Sequence, residues 1–196
     1  IITALPKSEG LVTDMDDIRP ITVGPALSRL LHKILAHRLG SIISGGGDTK
    51  KSLIDPAQFA FMAGYDIHEP INSAVACYRD FNSRLSSKAG APVGCFATYY
   101  DISKAYDTIR WSSIKEALEN LGIEEDFVTF VMASLKGTQV AMRTNVPGNI
   151  TRKVTLHKSI KQGCPLAPLL FIIVMDEMHK SLRELGIGYQ LANGDR

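Results

Sequence analysis

The sequence has few cysteines and no long hydrophobic run, and each absence excludes a class of protein. Its three cysteines, Cys77, Cys95 and Cys164, show no C-x-x-C spacing and have no histidines at the spacing of a zinc site. This pattern indicates reduced thiols inside a cell and argues against a disulfide framework or structural zinc. The apolar stretch at 167–175 ends at acidic residues, well short of the roughly 18 residues that span a bilayer. We therefore expect no membrane partner.

The sequence also lacks an initiator methionine, a signal-peptide charge pattern and a closing element at its C-terminal end. With 45% hydrophobic residues, its composition is ordinary for a folded domain. We interpret the chain as a piece of a larger intracellular protein of the nucleus or cytoplasm. Nothing in the pattern predicts an oligomeric state.

Acidic residues are missing from the long window between Asp126 and Asp176. The net charge of +2 therefore understates the local charge, and the helix-like stretch 26–44 is likewise free of acid. A positively charged surface suits a nucleic-acid backbone, because neutralising the phosphates releases their counterions. A solvated cationic face has the same composition and stays open as an alternative. The candidate nucleic-acid contacts in the window are Arg143, Arg152, Lys153, Lys158 and Lys161.

Hydrophobic periodicity predicts short strands near the start of the chain and several helices after them. Alternation and turn residues predict one hairpin from 1–5 and 18–23, and a second from 140–144 and 150–160 around Pro147-Gly148-Asn149. Apolar residues at helical spacing predict helices at 26–44, 67–85, 112–121, 124–135 and 166–185.

The most informative segment is YYDISKAYD at 99–107, in which a carboxylate follows an apolar run. The run at 93–100 is rich in β-forming residues and predicts a buried strand that ends at Asp101. A carboxylate there can bind a hard cation such as Mg²⁺, and the ring of Tyr106 can lie against the sugar of a nucleotide. From spacing alone two simpler interpretations stay open: Asp101 caps the following turn, or Tyr106 belongs to the core.

A second segment, KQGCPLAPLLF at 161–171, opens the last predicted helix. Together the two segments resemble reverse transcriptases, most closely those of non-LTR retrotransposons. In that group an aspartate followed by Lys-Ala-aromatic-Asp forms the first catalytic motif, and Gln-Gly-Cys-Pro-Leu-Ser-Pro-Leu-Leu-Phe forms the second. The resemblance covers nearly the whole chain, since it extends to LPK at 5–7, RPI at 19–21 and QFAF at 58–61.

The resemblance implies a role for each matching residue. Asp101 would be the first metal-binding, catalytic aspartate, and Tyr106 would be the steric gate that collides with a 2′-hydroxyl. Gln162 and Gly163 would line the nucleotide pocket, where the amide can bond the sugar and the glycine lets backbone come close.

Two basic residues of the first hairpin would approach the triphosphate. Arg19 can bond phosphate bidentately, whereas Lys7 acts as a point charge, and a mobile surface lysine is the open alternative for Lys7. The implied cofactor is Mg²⁺ or Mn²⁺, and the implied partners are an RNA template, a DNA primer and dNTPs.

Other charged residues near these motifs have smaller expected roles. We interpret Asp107 as a structural carboxylate that caps the turn before Trp111, and Lys104 as either a surface residue or a phosphate contact. The pair Asp16-Asp17 is similar to a catalytic Asp-Asp pair, but it precedes the first motif. We therefore interpret it as a solvated part of the first hairpin.

The chain departs from the family at Ala167, where serine is usual, and at Ala60, where glycine is usual. Neither change removes a charged group. The third motif of the family, an aromatic-x-Asp-Asp hairpin, would begin just beyond Arg196. We therefore expect the parent protein to be an RNA-directed DNA polymerase and this piece alone to be nearly inactive.

The fold class that the resemblance implies is α+β, a right-hand polymerase with fingers and part of the palm. The palm would be an antiparallel sheet backed by helices. Fingers are assigned to 1–92 and 109–160, and palm to 93–108 and 161–196.

Two rival functions remain. A non-catalytic nucleic-acid-binding relic of such an element would keep the basic window. A different Mg²⁺-dependent phosphotransferase fits Asp101 but leaves 162–168 unexplained.

Overall fold

The computed structural model describes residues 1–7, 9, 14–45, 51–87, 94–144, 146, 148–186 and 188–191. Its strands are β1 (Ile2–Pro6), β2 (Ile18–Thr22), β3 (Gln139–Val140) and β4 (Val154–Thr155). Its helices are α1 (Ala26–Ile43), α2 (His68–Ser87), α3 (Ala105–Thr108), α4 (Trp111–Asn120), α5 (Glu125–Leu135) and α6 (Ala167–Glu184). The long helices begin and end within two residues of the predicted bounds, and the mixed content confirms the α+β class.

The first predicted hairpin is confirmed. β1 and β2 pair antiparallel with Leu5 opposite Arg19, and a 3₁₀ turn at Met15–Asp17 leads into β2. The hairpin is joined to the next sheet, because the N–H of Ile2 donates to the carbonyl of Ala141 at 2.8 Å and the N–H of Arg143 donates to Ile2 at 3.0 Å.

The second hairpin is shorter than predicted. β3 and β4 pair antiparallel over two residues each, and an isolated bridge joins Arg143 to Ile150. Pro147, expected in its turn, lies outside the described residues.

The core lies where α4 packs against α5 and α6, and α1 covers α6 from another side. Side chains from all four helices are fully buried there because each helix has apolar residues at three- and four-residue spacing. Examples are Leu39, Ile43, Ile114, Leu118, Val128, Val131, Leu170 and Ile173.

A polar network at the edge of the interior joins α6 to the loop before α2. The N–H of Asp55 donates to a carboxylate oxygen of Asp176 at 2.6 Å, and Arg183 donates two hydrogen bonds to the Asp55 carboxylate at 2.6 and 2.8 Å. The hydrogen bonds from the Arg183 guanidinium lower the pKa of Asp55 to about 2.

The prediction of a buried strand at 93–100 is wrong for its described part. Residues 94–100 form no strand, and Phe96, Tyr99 and Tyr100 are 94%, 82% and 89% exposed; residue 93 lies outside the described ranges. A strand needs a neighbouring strand to satisfy its backbone N–H and C=O groups, and none of the described strands pairs with these residues. Within the described residues, the ranges assigned to the palm therefore contain helices and irregular segments but no strand.

Among all the residues that the structure describes, no helix is long and apolar enough to cross a membrane.

Candidate nucleotide-binding site

Backbone hydrogen bonds bring the two sequence motifs together. The N–H of Ile160 donates to the carbonyl of Tyr106 at 2.9 Å, and the N–H of Ser159 donates to Ile109 at 2.8 Å. The indole of Trp111 donates to the carbonyl of Ser159 at 2.8 Å. The segment after Asp101 and the segment before Gln162 therefore run side by side, although they are distant in sequence.

The ring of Tyr106 is half-buried on α6. Its centroid lies 5.4 Å from that of Phe171, with the rings tilted by 50°, and burial raises the pKa of its phenol. This contact supports the simpler interpretation, in which Tyr106 packs against the core. The role as a steric gate stays a prediction.

Gln162 and Gly163 lie against β2. The N–H of Thr22 donates to the carbonyl of Gln162 at 2.7 Å. Gly163 has a φ of +99°, and a Cβ there would lie 2.9 Å from the Thr22 carbonyl oxygen. The close backbone approach that this glycine permits is therefore to strand β2.

Arg19 and Lys7 are both exposed on the first hairpin. Arg19 is in β2, the strand that contacts Gln162, and the backbone N–H of Lys7 donates to Asp17 at 2.8 Å. Both predicted phosphate-binding residues therefore lie on the hairpin whose strand β2 contacts the second motif.

A small cavity lies along this seam. It has a volume of about 70 Å³, and its lining includes Pro20, Thr22, Asp107, Lys161 and Gln162. Ligand pockets usually hold about 300 Å³ or more. A nucleotide therefore does not fit inside the seam and would have to lie on the open surface beside it.

Asp101 is exposed and makes no hydrogen bond or ion pair with the described residues. Nowhere in the described ranges do three or more His, Cys, Asp or Glu side chains cluster as a metal site. A single carboxylate does not fit a dedicated divalent-cation site, because such ions take several oxygen ligands.

The expectation that Asp107 caps the turn before Trp111 is wrong. Asp107 accepts a long hydrogen bond, 3.5 Å, from the hydroxyl of Ser159. The N-cap position of α4 is Arg110, which makes no side-chain cap. Asp107 lies within α3, and its side chain faces Ser159.

Lys104 is a surface residue that forms an ion pair with Asp16. Their charged atoms are 2.6 Å apart, and both side chains are more than half exposed. Asp16 of the acidic pair at 16–17 therefore neutralises the Lys104 ammonium in addition to facing solvent.

The predicted nucleic-acid contacts differ in exposure. Lys161 is half-buried, and its ammonium lies 3.5 Å from the hydroxyl of Thr138. The other candidates are exposed: Arg143, Arg152, Lys153 and Lys158.

The sequence interpretation missed a contact between His32 and Cys164. Nδ1 of His32 lies 3.1 Å from Sγ of Cys164, and His32 is only 5% exposed. The available signal was spacing, since His32 lies on the same helical face as Leu35 and Leu39, the buried face of α1.

Comparisons with known proteins give matches over most of the chain. The profile of the family described as "Reverse transcriptase (RNA-dependent DNA polymerase)" matches residues 5–190. The chain is 34% identical over 187 residues to a "Retrovirus-related Pol polyprotein from type-1 retrotransposable element R2" of Popillia japonica, covering 95% of this chain and 24% of that relative.

Two further relatives come from Drosophila melanogaster. A "Retrovirus-related Pol polyprotein from type-2 retrotransposable element R2DM" is 29% identical over 180 residues, covering 90% of this chain and 15% of the relative. A "Probable RNA-directed DNA polymerase from transposon X-element" is 22% identical over 160 residues, covering 82% of this chain and 16% of the relative. The chain thus spans a quarter or less of the length of these curated relatives.

Proposed function

Because the chain belongs to the reverse transcriptase (RNA-dependent DNA polymerase) family, we propose that it forms the fingers and part of the palm of an RNA-directed DNA polymerase encoded by a non-LTR retrotransposon. The proposed reaction is template-directed nucleotidyl transfer, in which a primer 3′-hydroxyl attacks the α-phosphate of a dNTP and pyrophosphate leaves. The template is RNA and the primer is DNA. The proposed location is intracellular, in the nucleus or cytoplasm.

One observation carries the proposal: the segment after Asp101, the turn at 161–164 and strand β2 meet along one seam. The hydrogen bonds from Ile160 to Tyr106 and from Thr22 to Gln162 join the three. The family resemblance assigns nucleotide contacts to residues from all three segments. Their convergence supports a shared nucleotide-binding surface.

On this surface, each predicted residue has a proposed task. Arg19 and Lys7 contact the triphosphate from the exposed hairpin, Gln162 contacts the sugar, and Tyr106 excludes a 2′-hydroxyl. Support for Arg19 is its place in the strand that bonds Gln162.

The proposed template contacts are the exposed cations of the acid-free window, namely Arg143, Arg152, Lys153 and Lys158. Arg143 is the best placed of these to contact a template beside the first hairpin, because its backbone N–H donates to Ile2 in β1. We also propose the division into fingers (1–92 and 109–160) and palm (93–108 and 161–196). It is supported by the first hairpin joining the β3 region.

The proposed cofactor is a divalent cation, Mg²⁺ or Mn²⁺, with Asp101 as one ligand. Because no group of three or more potential metal ligands occurs among the described residues, the remaining ligands would have to come from elsewhere in the parent protein. We therefore expect the 196-residue chain alone to be nearly inactive.

Primer extension tests both parts of the proposal. The full-length parent, given an RNA template, a DNA primer, dNTPs and Mg²⁺, should extend the primer, and Asp101→Ala should reduce the rate by at least about 1000-fold, as expected for loss of an essential catalytic group. Asp126→Ala, which removes an exposed aspartate at the start of α5, is the matched control and should extend at the parental rate.

Full activity of Asp101→Ala in the parent would overturn the proposed function. Robust extension by the isolated chain would overturn the claim that it is inactive alone. RNA binding by the parent without any extension would favour a non-catalytic relic.

A further inference from the structure

A histidine–cysteine pair, with the histidine buried and the cysteine half-buried, joins α1 to the turn at 161–164. Nδ1 of His32 lies 3.1 Å from Sγ of Cys164, and the two residues are 132 positions apart in sequence. His32 is 5% exposed. This pair is therefore a specific tertiary contact from the interior of a helix to the second motif.

The pair lies beside a cavity of only about 10 Å³, whose titratable lining groups are His32, Lys161 and Cys164. Such a volume does not admit a ligand. The contact therefore serves the protein itself.

The surroundings of the pair disfavour a charged imidazole. Burial lowers the pKa of His32, and the nearby Lys161 ammonium lowers it further. A neutral ring shares one hydrogen with the thiol, either as N–H to sulfur or as S–H to nitrogen. We propose no covalent role for Cys164, because nucleophilic cysteines are activated by an imidazolium partner, and this site disfavours one.

The backbone around Cys164 shows what the pair holds in place. The N–H of Cys164 donates to the carbonyl of Lys161 at 3.0 Å and closes the turn, and the N–H of Ala167 donates to Cys164 at 3.1 Å where α6 begins. The same turn is bonded to β2 through the Gln162 carbonyl at 2.7 Å. The turn is therefore attached at one side to β2 and at the other to α1.

We propose that His32 is a positioning residue for nucleotide binding: through Cys164 it fixes the turn that presents Gln162 and Gly163. This inference rests on the proposed polymerase function and deepens it. His32 does not touch the nucleotide, and it acts by limiting the orientations of the turn.

Kinetics in the full-length parent test the proposal. His32→Leu and Cys164→Ala should each raise the KM for dNTP by about threefold to tenfold, with a smaller change in kcat. This change corresponds to the free energy of about one hydrogen bond. Cys164→Ser keeps a hydrogen-bonding group and should restore most of the affinity. The double variant His32→Leu/Cys164→Ala should be no worse than either single variant, because both remove the same contact.

His37→Leu is the matched control, since His37 is an exposed histidine of the same helix, and its KM should be unchanged. Additive effects of the two single variants, or an equal effect of His37→Leu, would overturn the proposal.

A second measurement does not depend on activity. In NMR spectra of the isolated chain, His32→Leu should shift the amide signals of Gln162 and Gly163, while His37→Leu should not. Unmoved signals would overturn the positioning role even if the parent extends primers. Shifted signals in the isolated chain, together with a parent that extends no primer, would instead reject the polymerase function and retain the contact.

Discussion

At position 163, the absence of a Cβ atom lets the turn of the second motif lie against β2. The φ of +99° suits glycine, and a Cβ would come within 2.9 Å of the Thr22 carbonyl oxygen. Two separate constraints therefore act on this residue, one from backbone conformation and one from packing. The sequence predicts a glycine that lets backbone come close, but it does not reveal that strand β2 is the neighbour.

Gly163→Ala should lower the free energy of unfolding by about 2 to 3 kcal/mol, because the strain of a positive φ is added to a clash with rigid backbone. Chemical denaturation of the isolated chain measures this. Gly122→Ala is the matched control: Gly122 has a φ of +72°, and a Cβ there would meet nothing within 4 Å, so only about 1 kcal/mol should be lost. Equal losses at both positions would show that Thr22 does not crowd residue 163.

At the scale of the elements, charged side chains attach α6 to the loop before α2. Asp55 is 4% exposed at its side chain while Arg183 is 55% exposed, so the pair lies at the edge of the interior. The backbone of Asp55 also contacts α6, because its N–H donates to a carboxylate oxygen of Asp176. Sequence periodicity predicts α6, but the partner of its last turn is more than 100 residues away.

This ion pair predicts an acid-sensitive stability. The pKa of Asp55 falls from 3.8 to about 2 on folding, so its contribution is complete above pH 4 and is lost as the pH falls towards 2. The lost stability should be about 1 to 2 kcal/mol, reduced from the full linkage value because Arg183 is partly solvated. Urea denaturation between pH 2 and pH 6 measures it.

Arg183→Met should remove most of that pH dependence. Lys115→Met is the control, because it breaks the ion pair with Glu119, which is exposed on both sides, and should change stability by less than about 0.5 kcal/mol. A parental pH profile for Arg183→Met would contradict the assignment to this pair.

At the scale of the whole molecule, the helices form a buried core, while most side chains of 94–100 are exposed. The helices α4, α5 and α6 bury their apolar faces on each other. In contrast, Phe96, Tyr99 and Tyr100 face solvent, although their sequence is typical of a buried strand. Large exposed aromatics in a row indicate a surface that another segment covers.

Hydrogen exchange should distinguish the two regions. In the isolated chain, amides at 94–100 should exchange as fast as those of an unstructured peptide, while amides of α4 near the buried Ile114 and Leu118 should be protected. In the full-length parent, 94–100 should become protected if another segment of the protein covers it. Strong protection of 94–100 in the isolated chain would contradict the exposed arrangement.

The sequence by itself determined the helices, the first hairpin and the family, because these depend on local periodicity and on short motifs. Helical hydrogen bonds join residues four apart, and a hairpin joins neighbouring segments. The tertiary structure alone decided the contacts of the candidate site: Thr22 with Gln162 and His32 with Cys164. It also decided that 94–100 remains unpaired and that Asp107 bonds Ser159. These depend on partners distant in the chain, which local patterns do not encode.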